Sequence, residues 1–73
     1  MPPTVDACAA RLHAAGWSAG DVCLLTAAGP LWLVTGTNRA HVLRAQGRTQ
    51  SEAWQNACEL ARAAGLLRGE TPP

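Results

Sequence analysis

The sequence predicts an α+β fold in the order α-β-β-β-α, a single small domain with two helices packed on one face of a three-stranded antiparallel sheet. Three observations carry this. Both ends of the chain show apolar residues at helical spacing between capping residues. The middle holds three short apolar runs, and the connections between them are brief and rich in turn residues.

The first helix is expected over residues 4–15. Thr4 is placed to cap it, Asp6 suits the positive end of the helix dipole, and Gly16 offers the left-handed stop. Val5, Cys8, Ala9, Leu12 and Ala15 share one face at helical spacing. Trp17 follows the stop glycine, where an apolar residue folds back on the last turn; Leu12 is its expected contact and the core its expected place.

The first strand is expected in "DVCLLTA", residues 21–27, apolar on both parities, with Val22 and Leu24 on one side and Cys23 and Leu25 on the other. The second, "PLWLVTG" over residues 30–36, sets Trp32 and Val34 against Leu31 and Leu33, and the Trp32 side is assigned to the core. The third, "RAHVLRA" over residues 39–45, sets Ala40 and Val42 against His41 and Leu43. "AAGP" and "GTN" supply the turns, and links this short favour antiparallel hairpins.

The second helix announces its own start. In "TQSE", residues 49–52, the Thr49 hydroxyl and the Glu52 carboxylate can satisfy backbone amides reciprocally as a capping box. Ala53, Ala57, Leu60, Ala61 and Ala64 form an apolar stripe widened by Trp54 and Cys58, and Gly65 followed by Leu66 repeats the ending of the first helix. The ordered core is expected over residues 4–67, with a loose tail over 68–73.

A chain of 73 residues is thinly stabilised by its own core, since domains near this size bury only about 60% of the surface their unfolded chains expose. Self-association is one usual remedy. The core must draw on Ala, Leu and three tryptophans, for the chain has no Phe, Tyr or Ile. A net charge of +1, with arginines but no lysine, lacks the basic excess of a dedicated nucleic-acid binder. The N-terminus carries no signal-peptide pattern and no run reaches the length of a membrane span, so a soluble, cytoplasmic protein is expected. Cys8, Cys23 and Cys58, odd in number and widely spaced, form neither a disulfide framework nor a zinc motif, and are read as small buried hydrophobes. His13 and His41 have no catalytic partner at a recognisable spacing, and no phosphate-binding or dinucleotide fingerprint occurs. No enzyme activity, cofactor, metal or small-molecule substrate is expected.

The order of elements resembles the double-stranded-RNA-binding domain. Gly29-Pro30 stands where that family has Gly-Pro followed by a His, and "GRTQSEAW", residues 47–54, stands where it opens its second helix with lysines. The likeness covers most of the chain and implies the α-β-β-β-α fold. It departs at the RNA-contacting positions: the lysines correspond to Gln50, Ser51 and Trp54, and the groove-reading His corresponds to Trp32. The interval from Pro30 to Glu52 is also shorter than is usual there, which implies short strands.

Two helices cover one face of a sheet and leave the other open. With strands apolar on both parities, the open face is expected to expose Cys23, Leu25, Leu31, Leu33 and Leu43, or the opposite set. A non-catalytic binding module is therefore expected. Its partner would be a second copy or another protein, held by Leu25, Leu31, Leu33 and Leu43, with Trp54 at the rim. The alternative is contact with double-stranded RNA through Arg39, Arg44 and Arg48 and the start of the second helix, with Glu52 weakening that cluster.

Overall fold

Gly16 ends the first helix in the way its position demands. Its φ of +96° is one that side-chain-bearing residues rarely adopt, and it closes a Schellman pair: Gly16 N–H donates to His13 O at 3.0 Å and Trp17 N–H to Leu12 O at 2.9 Å. Trp17 is thereby turned inward, buried with Leu12 in the core and packed over Gly36. The Asn38 side chain adds a cap from the sheet, donating to Ala15 O at 3.1 Å.

The computed structural model describes residues 5–64, in the order α1 (Val5–Ala14), β1 (Ser18–Thr26), β2 (Gly29–Asn38), β3 (His41–Gly47) and α2 (Gln50–Ala63). The strands form one antiparallel sheet in the order β1-β2-β3, so the α+β architecture is the one the sequence predicts. The Thr4 cap, the Gly65 stop, Leu66 and the 68–73 tail lie outside the described residues. Strands of nine, ten and seven residues exceed the short ones expected. The reason is turn economy, since each hairpin turns on only two residues, Ala27-Ala28 and Arg39-Ala40. Gly29, at φ +118°, leads the first turn back into the sheet. The second turn takes a positive φ at Arg39. Gly29 and Pro30 thus belong to β2 rather than to the turn. Proline is tolerated in this central strand because β3 reaches no further than Trp32, leaving residues 29–31 without a neighbour on that side.

Ladder register decides which side chains meet. Val34 lies opposite Ala45, and Gly36 opposite Leu43. These buried positions join Cys8 and Leu12 of α1 and Ala53, Trp54, Ala57, Cys58 and Ala61 of α2 in one core, with Trp32 packed at its border. Thr49 caps α2 by accepting from Glu52 N–H at 3.1 Å. The return bond of the box falls one residue early, on Arg48 N–H rather than Thr49 N–H, at 3.0 Å. Gly47 lets the first turn of α2 press on the sheet: a Cβ there would stand 2.6 Å from Ala53 N.

Candidate protein-binding face

Alternation along the strands sends one set of side chains away from the helices. By register this open face carries Val22 and Leu24 from β1 and Leu31, Leu33, Thr35 and Thr37 from β2. From β3 it takes Val42, Arg44 and Gln46. Val22 stands opposite Leu33 and Leu24 opposite Leu31, so four aliphatic side chains meet in one cluster. Directly opposed Cβ atoms in an antiparallel sheet lie about 4.5–5.5 Å apart. Val22 is 49% and Leu24 42% exposed, while Leu31 and Leu33 are half-buried. The remainder, polar apart from the exposed Val42, lies toward the β2–β3 turn and the β3 edge.

The predicted interface residues divide. Leu31 and Leu33 lie on the open face as expected. Leu25 is 88% exposed but points to the helix side with Cys23, at the tip of a hairpin arm that outruns both helices. Leu43 and Trp54 are corrections: each is only 5% exposed and belongs to the core. A turn confined to "GTN" with β3 starting at Arg39 would set Leu43 on the Leu31 side. The two-residue turn instead pairs Asn38 with His41 and phases Leu43 with Gly36, under the helices. Trp54 packs with the apolar face of α2 in the core, and its indole N–H donates to Asp21 Oδ2 at 2.8 Å. Val42 is turned outward by the same phasing, and Val22 and Leu24, set opposite Leu33 and Leu31 by the β1–β2 register, join the open face; none of the three is among the predicted interface residues.

Asp21 is the latch between β1 and α2. Besides Trp54, its Oδ2 accepts from Gln50 Nε2 at 2.7 Å. These two bonds, Gln50 first, hold its carboxyl below the ordinary value of 3.8, against the opposing effect of desolvation.

The three arginines are not gathered. Arg39 occupies the β2–β3 turn, Arg44 the middle of β3 on the open face, and Arg48 the loop past the end of β3. They are spread over ten residues of sequence, about 3.3 Å apiece where extended. Arg48 lines a hollow of about 310 Å3 with Thr26, Gly29, Pro30 and Leu31 at the hairpin tip. A second hollow, about 470 Å3, lies between the β3 edge and α2 and is lined by Arg44, Gln46, Asn56, Glu59 and Leu60. Neither contains a nucleophile beside a base.

Of the three cysteines, Cys8 and Cys58 are buried as expected, but Cys23 is exposed, because the helices do not reach that end of β1. The Cys58 thiol donates to Cys8 O at 3.5 Å. Burial above all, helped by the neighbouring Cys8, pushes it up to about 11, so it stays protonated and poorly nucleophilic at neutral pH. His13 and His41 are exposed. Among the described residues no three of His, Cys, Asp and Glu gather as metal ligands, and no helix is long and apolar enough to cross a membrane.

Set against protein-family profiles, curated proteins and solved structures, the chain matches none.

Proposed function

We propose that this domain is a non-catalytic protein-binding module that acts through the open face of its sheet, with a second copy of itself as the simplest partner. One observation carries the reading. Val22, Leu24, Leu31 and Leu33 form a contiguous aliphatic cluster on a face that no described element covers. Isolated surface leucines need no explanation, but a joined cluster on a small domain favours a partner. Arg44 at the rim is the one charged residue of the face among the described strands, so the cluster itself can be buried without stranding a charge.

The element order and sheet order support a likeness to the double-stranded-RNA-binding domain, and with it the second reading. Against RNA contact stand the dispersal of Arg39, Arg44 and Arg48, and the Glu52 carboxylate on the Arg48 backbone. Fold likeness by itself carries no function.

Light scattering over a dilution series, at low and high salt and with and without duplex RNA, separates the two. Apolar association persists or strengthens in high salt, whereas phosphate binding weakens steeply. The proposal expects concentration-dependent association that survives salt and ignores RNA. A monomer at every concentration that binds duplex RNA at low salt would overturn it.

A further inference from the structure

We propose that two copies join edge to edge through β1, as an antiparallel pair about a two-fold axis at Val22, making one six-stranded sheet out of two three-stranded ones. This rests on the self-association proposed above but assigns it to the β1 edge, which leaves the open face itself free.

The two edges of the sheet are built differently. β3 looks like a finished edge. Its residues alternate buried and exposed from Leu43 to Gly47, its outward positions hold Arg44 and Gln46 besides the exposed Val42 next to the turn, and the Gln46 carbonyl is already taken by the Asn56 side chain at 2.8 Å. β1 looks unfinished. Residues 20–28 are all exposed, although Val22, Cys23, Leu24 and Leu25 are among them. A run apolar on both parities is the pattern of a strand inside a sheet, covered on both sides, yet here it lies at an edge with neither side covered. Several of the usual guards of an edge are missing: β1 has no proline and no cation, and its pairing with β2 runs without a bulge from Ser18 to Thr26. Its one charge, Asp21, is drawn to the helix side and held by Gln50 and Trp54.

A second copy supplies the neighbouring strand that the β1 edge lacks. Full overlap of the nine residues of β1 puts the axis at residue 22, so that Val22 meets its own counterpart. Gly20 then meets Leu24, and Ser18 meets Thr26. On the open face the Val22, Leu24, Leu31 and Leu33 clusters of the two copies merge into one band across the middle of the joined sheet. On the helix side Leu25 comes to lie beside the other copy's Ala19, which is half-buried against its core; that accounts for a leucine left 88% exposed in the single chain. Asp21 faces Cys23 rather than another carboxylate, and the two Asp21 side chains, on a diagonal, each stay bound to their own α2. Self-complementarity of this kind is what a two-fold interface requires.

The test places a cysteine on the axis. Val22→Cys is made with Cys23→Ser, and the full chain is treated with oxidised glutathione; Thr37→Cys with Cys23→Ser, on the open face near the far turn, is the control. Residues opposed in an antiparallel pair have Cα atoms about 4.5 or 5.5 Å apart, both within the usual disulfide span. The expected result is near-complete loss of monomer on a non-reducing gel for Val22→Cys and none for the control. Sedimentation of the unmodified chain is run alongside, and near-UV dichroism of the tryptophans checks that both variants fold. A chain that dimerises while Val22→Cys stays uncrosslinked would overturn edge pairing and leave the binding face standing. A chain that is monomeric throughout would remove both.

Discussion

Replacing Asp21 by Ala should destabilise the domain far more than an exposed residue normally does. Its carboxylate receives the indole N–H of Trp54, at 2.8 Å, and the Gln50 amide, at 2.7 Å. Hydrogen bonds to a charged group contribute about 1.5–3 kcal/mol, and a donor left buried without an acceptor is costly in its own right. The Gln50 bond is exposed and adds little; the Trp54 bond is partly buried and dominates. A loss of about 2 kcal/mol follows, or a fall in Tm of about 8–16 °C for a domain of this size. Asp21→Asn keeps an oxygen in place without its charge and should lose about half as much. Urea unfolding followed by tryptophan fluorescence measures both, and a double-mutant cycle with Trp54→Phe isolates the pair. The acid dependence has a definite sign. The folded carboxyl lies below the ordinary 3.8, so its contribution is complete above the unfolded value and disappears as pH falls through the folded one. Asp21→Asn should lack that acid-sensitive portion. If Asp21→Ala unfolds within about 0.5 kcal/mol of the parent, the range of an ordinary surface change, and shows no coupling to Trp54, the latch has no energetic role and the reasoning fails.

Two further predictions concern packing and alkaline pH. Gly47→Ala forces a methyl to 2.6 Å from Ala53 N, against backbone that cannot rotate away; it should cost about 2 kcal/mol or more. Gly20→Ala, with nothing within 4 Å of the new atom, should be neutral or slightly stabilising in the same urea assay, and equal effects at the two glycines would refute the packing account. Cys58 gives the alkaline prediction. Its thiol is held at about 11 in the fold against an ordinary 9.0, so from pH 9 upward the unfolded chain releases a proton that the folded one retains, and stability falls until about 11. Cys58→Ala should flatten that slope, and an unchanged slope would contradict the assignment.

Much of the fold was legible because its signals are local. The Gly16-Trp17 ending of α1 and the Thr49 cap of α2 each need only a few neighbouring residues, and both form as read. The α-β-β-β-α order follows from period and punctuation alone. What failed was phase between strands. Whether Leu43 faces the helices depends on where the turn falls in "GTNRAH", and nothing local distinguishes a two-residue turn at Arg39-Ala40 from a strand beginning at Arg39. A shift of that kind exchanges the faces of a strand, which put Leu43 in the core and Val42 in water. Leu25 is a phase error of the same kind, since the β1–β2 register sets it opposite Pro30 on the helix side, and it is exposed there only because the helices stop short of that end of the strand. Trp54 was legible as part of the apolar stripe, yet its hydrogen-bond partner Asp21 is remote in sequence and adjacent only once the sheet forms. In β1 the doubly apolar run did carry information: it marked the strand that the single chain leaves bare.

Sedimentation equilibrium of the parent chain beside Leu24→Lys tests the central claim most directly. Leu24 is on the open face and 42% exposed, so a lysine there keeps the monomer folded while setting a charge inside the aliphatic cluster. The account predicts a reversible dimer for the parent and a monomer for Leu24→Lys, both folded by circular dichroism. Equal association states for the two chains would contradict it.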